Sequence, residues 1–219
     1  MDFEVIHSYM PLYIEAFILT VKIGWAGIAI SFAVGIFAAF MMHFKVPVVS
    51  KIAVGYVELF RNTPLLVQLF FIYFGLPKIG LSISAPNCGA IGLGLLGGSY
   101  MAEAIRSGLS AIPKSQEESA LALGLNRRQM FVHVIFPEAV SISVPAIVAN
   151  IIFMLKETSV FSAISLMDLM FTAKDLIGLY YNTTEALFLL VVFYIVMLLP
   201  VSILGSVIEK RARYKTLGA

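Results

Sequence analysis

An all-helical integral membrane protein with about five transmembrane helices is the fold class this chain predicts, on three observations. Hydrophobic residues make up 60% of its 219 positions and charged ones 13%, with a mean hydropathy of +0.94. A soluble domain of that length would struggle to keep such a balance out of aggregates. Five stretches, near 12–42, 52–76, 88–112, 138–166 and 185–208, reach or approach the ~20 apolar residues that a helix needs to cross ~30 Å of hydrocarbon. No alternating strand pattern occurs in the sequence, which argues against an outer-membrane barrel.

The first run follows Met1-Asp2-Phe3-Glu4, acids where a cleaved leader would place basic residues, and is read as a permanent span. It and the fourth run exceed one crossing, so tilt or a broken helix stays open. In the second run Pro64 removes a backbone donor and should bend or break the span, leaving carbonyls for Thr63, Asn62 or water. Irregular backbone at membrane depth faces protein or a cavity, which makes Arg61, Thr63 and Pro64 candidates for lining or gating a pathway. A structural kink, or an Arg61 lying near the cytoplasmic surface, explains the same residues.

The third run contains Gly92-Leu93-Gly94-Leu95-Leu96-Gly97, which matches a dinucleotide fingerprint but has no strand before it and is rejected as one. Gly94 and Gly98 are read as small surfaces that let two helices approach. Cations set the orientation. Lys45, Lys51, Arg106, Lys114, Arg127, Arg128, Lys210, Arg211, Arg213 and Lys215 flank one side, and only Lys78 and Lys174 the other, placing the amino terminus outside and the tail in the cytoplasm. With no repeat or low-complexity run, residues 1–219 read as one domain.

Between the third and fourth runs lies a polar island over about 113–137, long for a mere connection. Ser115 and Glu118 fit a capping box, Gly124 fits the left-handed residue that stops a helix, and Asn126 can cap a second start. Pro137 marks the next break. The pattern predicts a short helix over 115–124, a sharp bend and a second short helix. An amphipathic connection resting on lipid headgroups would read similarly.

The island, with Glu117-Glu118-Ser119-Ala120, then Gly124 and Pro137, resembles the signature loop of the permease subunits of bacterial ATP-binding-cassette importers. Glu58 to Gln68 (Glu-Leu-Phe-Arg-Asn-Thr-Pro-Leu-Leu-Val-Gln), Tyr100 to Gly108 and Lys156-Glu157-Thr158-Ser159 are similar to the branch that takes up polar amino acids. Two departures are Ser119 for the usual Ala and Glu157 for the usual Asp. The resemblance implies a type I importer fold, with Glu117, Glu118, Ser119, Ala120, Gly124 and Pro137 coupling the chain to a separate ATPase. It also implies two ATP-binding-cassette subunits that bind ATP and Mg, a second or homologous permease, a solute-binding protein and the bacterial inner membrane.

Charges at membrane depth each need an explanation. Lys22 fits snorkelling to an interface. Glu103 and Arg106 are three apart and can pair on one helix face, whereas Lys156 and Glu157 point roughly 100° apart and need other partners. A zwitterionic amino acid needs an anion for its ammonium and a cation or donor for its carboxylate. Glu103, Lys156 and Glu157, with Gln68 and Ser99 as neutral partners, are the candidate substrate site. No catalytic residue or metal ligand is expected: Cys88 is the only cysteine, and His7, His43 and His133 lack ligand spacing. No Gly-x-x-x-x-Gly-Lys-Ser/Thr run or other cofactor motif is present, and nothing suggests nucleic acid. The competing class is an ion-coupled carrier or channel that works without ATP, which would need no docking island.

Overall fold

A computed structural model describes the backbone of residues 1–217 and the side chains of residues 1–212. The side chains of Arg213 and Lys215, counted above for orientation, lie outside the described residues. The described chain is helical throughout its regular elements: α1 (Phe3–His43), α2 (Val49–Arg61), α3 (Leu65–Phe70), α4 (Ala85–Ser110), α5 (Lys114–Ala122), α6 (Arg127–Met130), α7 (Phe136–Glu157), α8 (Leu169–Tyr180) and α9 (Thr183–Leu217). Four helical runs are long and apolar enough to cross a membrane. A fifth forms if α2 and the α3 segment through Ile79, bent by 105° at a short break, count as one. The expected spans are therefore present, one of them broken.

α1 has 41 residues, about 60 Å of helix against ~30 Å of hydrocarbon. The excess is not loose. Its first turns pack Ile6, Tyr9 and Tyr13 against Leu169 and Leu176 of α8 and Leu189 of α9. The Tyr13 hydroxyl donates to the Ala186 carbonyl at 2.6 Å, and Asn182 donates to the Tyr9 hydroxyl at 2.8 Å. α8 itself was not anticipated. It is a 12-residue helix, too short to span, whose N-terminus is capped by Asp168 accepting from the Phe171 N–H at 2.9 Å.

The centre of the bundle is the α1–α4 crossing, where side chains are small. A Cβ at Gly35 would lie 2.5 Å from Met101 Cβ and 3.0 Å from the Gly98 carbonyl, and one at Gly94 would lie 2.5 Å from Ile30 Cγ2. Gly94 and Gly98 thus are the close-approach surfaces expected, and Gly98 also admits the Tyr56 hydroxyl, which donates to the Leu95 carbonyl at 2.6 Å. Around this seam Leu93, Leu96, Met101, Met154 and Phe161 form the main core. Buried hydroxyls are absorbed locally: Thr20, Ser31, Ser99, Ser143 and Thr158 each donate to a carbonyl three or four residues back.

Two local expectations need correction. Ser115 and Glu118 do not form a capping box; Pro113 occupies the cap, so α5 starts one residue earlier and the Ser115 carbonyl instead accepts from Ser119 Oγ at 2.7 Å. Nor does Pro137 break the chain's helix. A π turn over Phe131–Ile135 joins α6 to α7, and this wider turn takes up the mismatch just ahead of the proline.

Gly35→Ala should destabilise the purified chain by about 1–3 kcal/mol, because backbone atoms would have to move. Gly55→Ala, where a Cβ meets nothing within 4 Å, should be neutral or mildly stabilising. Thermal unfolding in detergent compares the two.

Candidate functional site

The break between α2 and α3 is built residue by residue. Pro64 has ψ near 143°, an extended residue that starts α3 in a new direction. The end of α2 then has carbonyls without helical donors. Asn62 Nδ2 donates to the Glu58 carbonyl at 2.7 Å and Thr63 Oγ1 to the Leu59 carbonyl at 2.8 Å. Gln68 Nε2 reaches the Phe60 and Thr63 carbonyls, each at 3.1 Å, and Thr63 Oγ1 at 2.9 Å. Asn62 and Thr63 meet carbonyls as anticipated. The stitching role of Gln68 had no local sequence signal, since it acts across eight residues.

Beside the break lies a cavity of about 660 Å³ whose charged lining is Lys45, Glu58, Arg61, Glu103 and Arg106. Glu103 and Arg106 do pair: Arg106 Nη2 and Nε donate to the two Glu103 oxygens at 2.5 and 3.1 Å. Arg61 Nη1 stands 3.9 Å from the same carboxylate and its guanidinium lies 5.3 Å from the centre of the Tyr100 ring. The broken helix is thus tied to α4 by a shared anion. Tyr100 had been noted only as part of a motif, and the one cue to its role is its place three residues before Glu103 on a helix.

Lys156 and Glu157 lie elsewhere, at the end of α7. A second cavity of about 660 Å³ runs between α7, α8 and α9, lined by Lys156, Ser159, Met170, Tyr194 and apolar α9 residues. Neither Lys156 nor Glu157 takes part in an ion pair or side-chain hydrogen bond among the described residues. Ser99 is fully buried and its hydroxyl is spent on the Leu96 carbonyl at 2.6 Å. The five candidate substrate residues therefore fall into four places. Glu103 joins Arg61 at one cavity, Gln68 joins Thr63 at the break, Ser99 is sealed within α4, and Lys156 lines the other cavity with Glu157 next to it in the chain.

The elbow after α4 is rigid at both ends of its bend. Gly124 has φ +85°; its N–H donates to the Leu121 carbonyl at 2.9 Å while Leu125 donates to Ala120 at 3.2 Å, the paired bonds of a Schellman stop. Asn126 and Gln129 then form a full capping box. Ala120 is buried against the bundle, and Gln116 Nε2 donates to Glu138 Oε1 at 3.1 Å, fastening α5 to α7. Glu117, Glu118 and Ser119 remain exposed. A cleft of about 610 Å³, lined by Gln116, His133, Pro137 and Glu138, opens beside them.

Residues 31–214 match the family described as binding-protein-dependent transport system inner membrane component. The chain is similar to the probable glutamine ABC transporter permease protein GlnM of Bacillus subtilis (strain 168), 30% identical with 96% of this chain and 98% of that protein covered. It is 31% identical to the arginine transport system permease protein ArtQ of the same organism, with 97% and 98% covered. Among solved structures, an amino acid ABC transporter crystallised with histidines aligns at 34% identity and a TM-score of 0.89, covering 96% of this chain and 99% of the other.

Gln68→Leu should destabilise the chain by about 1–3 kcal/mol, since two carbonyls at the break lose their donor. Gln68→Glu, which cannot donate when ionised, should do no better. Both are read as a fall in the thermal midpoint.

Proposed function

The chain belongs to the family of binding-protein-dependent transport system inner membrane components, and on that premise we propose that it is the permease subunit through which an ATP-driven importer passes a polar amino acid. The observation that carries this reading is the elbow: two short helices fixed by a Schellman stop and a capping box, leaving Glu117, Glu118 and Ser119 exposed. A jointed but rigid element transmits a displacement that a floppy loop would absorb. An ion-coupled carrier would have no use for one, and the family relatives do not favour that alternative.

In this reading the elbow end of the bundle is cytoplasmic and the α8 end faces outward in the inner membrane. Lys45, Lys51, Arg106, Lys114, Arg127 and Arg128 cluster toward the elbow end, which supports that polarity. Two ATPase subunits, holding ATP and Mg, sit under the elbows of this chain and of a second or homologous permease. Five spans are too few to enclose a path, so pairing is a physical need. A solute-binding protein delivers the amino acid from outside. Closure of the ATPase pair moves the two elbows together, and the different fit of nucleotide to the closed and open states is all the coupling requires.

Within the bundle, Arg61, Thr63 and Pro64 serve as the gate, because they form the break and border a charged cavity. Glu103 can take a substrate ammonium only by parting from Arg106, which makes its pairing competitive with substrate. Lys156 and Glu157, without protein partners among the described residues, are free to meet a zwitterion, while Gln68 holds the α2–α3 break and Ser99 bonds within α4. Uptake by the reconstituted complex should fall at least ~10-fold in Glu103→Gln and Glu157→Gln, the loss of one charge-assisted contact; unchanged uptake in both removes the site.

The coupling role is tested separately. Gly124→Val forces a β-branched residue into left-handed backbone, costing about 1–2 kcal/mol at the joint. It and Glu118→Lys should reduce ATPase co-purification and uptake together. If both variants pull down the ATPase and transport at normal rates, the elbow does not carry the coupling.

A further inference from the structure

Where α1 ends, rings from two distant parts of the chain meet. Phe40, His43 and Phe44 come from the last turn of α1 and the residue after it, and Phe131 and Phe136 from the exit of the elbow. The ring centres of Phe44 and His43 lie 5.3 and 6.1 Å from that of Phe131, and Phe40 lies 6.3 Å from both Phe131 and Phe136. Within α1 the Phe40 and Phe44 rings stack, 6.0 Å apart. Phe131 also packs against the cluster of Leu109, Ile112, Ile135 and Ala139 that joins the end of α4 to α7.

These rings bracket the π turn. Its closing bond runs from the Phe136 N–H to the Phe131 carbonyl, so Phe40 approaches both of the residues that the bond joins. A π turn carries an extra residue, and its relaxation to an ordinary α turn would rotate the helix beyond it by about 100° and shift it by about 1.5 Å. Slippage of that kind would absorb a displacement arriving at the elbow before α7 felt it. Rings at both ends of the turn, packed on a separate helix, oppose it, because each slip breaks their edge and stacking contacts. An interfacial aromatic belt works otherwise, through Tyr and Trp whose polar edges meet headgroups; the Phe rings that dominate this group offer no such edge.

Beyond the rings the chain has little slack. Lys45 and Val48 adopt left-handed φ of 50° and 65°, and the Val49 N–H donates to the Pro47 carbonyl at 2.7 Å, a tight turn that leads straight into α2. α2 in turn ends at the break and at the charged cavity that Lys45 also lines.

We propose that Phe40, Phe44 and Phe131 are positioning residues for transport: with His43 and Phe136 they clasp the π turn to the end of α1, so that an elbow displacement reaches α7 without slippage and passes through α1 to α2 and its break. The transmission role rests on the permease reading; the clasp itself does not.

Phe44 is 56% exposed, so Phe44→Leu removes a ring at little cost to folding, and Phe131→Leu removes the central one. In thermal unfolding of the purified chain the two substitutions should be non-additive by about 2- to 12-fold in the unfolding equilibrium, the worth of an aromatic pair. The assembled transporter, with its ATPase and binding protein, is then given a labelled mixture of polar amino acids. Each Leu variant should keep native ATPase co-purification and basal ATP turnover, while the solute taken up per ATP hydrolysed falls at least ~2-fold, the lower end of what one ring pair contributes. Phe131→Tyr, which keeps the ring, should hold the native ratio. Mere loss of folded protein lowers uptake and ATP turnover together and leaves that ratio unmoved. An unaltered ratio in both Leu variants, a ratio that falls only with loss of the bound ATPase, or additive effects on unfolding overturns the proposal. If the native complex takes up no amino acid when ATP is supplied, the permease reading fails and the transmission role with it, while the unfolding cycle decides the clasp by itself.

Discussion

Every backbone amide inside hydrocarbon must find its partner within the protein, and that constraint shapes each irregularity in this chain. It explains why the described elements are helices, and it sets the terms on which a span can be broken. At Pro64 the helix turns by 105°, an event that strips donors from the end of α2. Asn62, Thr63 and Gln68 supply side-chain donors to the carbonyls of Glu58, Leu59 and Phe60 in turn. The break is therefore a closed structure with a fixed angle. The same logic covers the π turn at Phe131–Ile135, which passes the chain into α7 ahead of Pro137 without severing the run of bonds.

Because the break is repaired by side chains and not by lipid, polar residues gather where the backbone departs from regularity, and cavities open beside them. The charged cavity at Arg61 and Glu103 adjoins the α2–α3 break, and the Lys156 cavity adjoins the 3-10 turn Thr158–Ile164 at the end of α7. The α1–α4 seam, by contrast, is packed closely on glycines. A stiff seam with two compliant margins is the mechanical form an alternating path requires, and the elbow joins α4 to α7 so that displacement reaches both margins.

The sequence is most legible where one residue decides the backbone. Pro64, Gly124 and Asn126 act locally, through a missing donor, a left-handed φ and a capping amide, and each appears in the structure as its chemistry requires. Ser115 misled because a capping serine competes with its neighbours, and Pro113 two residues earlier already had the extended geometry of a cap. α8 escaped notice because Leu169–Tyr180 is short and its start is set by Asp168, an acid that looks solvent-facing until α1 and α9 close over it. The grouping of candidate site residues was not legible at all. Gln68, Glu103 and Lys156 share a polar character in the sequence, but which of them meet is decided by a helix bend and by two cavities that no local pattern encodes.

Glu103 and Asp168 show that burial of an acid has two different solutions here. Glu103 keeps its charge and shares it between Arg106 and Arg61, at the cost of immobilising three long side chains. Asp168 has no cation in contact and is better served by losing its charge to a proton. A charge held by arginines can be exchanged for a ligand ammonium, since one cation replaces another; a neutral carboxyl in a sealed pocket has nothing to exchange. The chemistry thus separates the roles. The half-exposed acid beside a cavity is suited to meeting a substrate, and the sealed one is suited to holding the frame against which that meeting occurs.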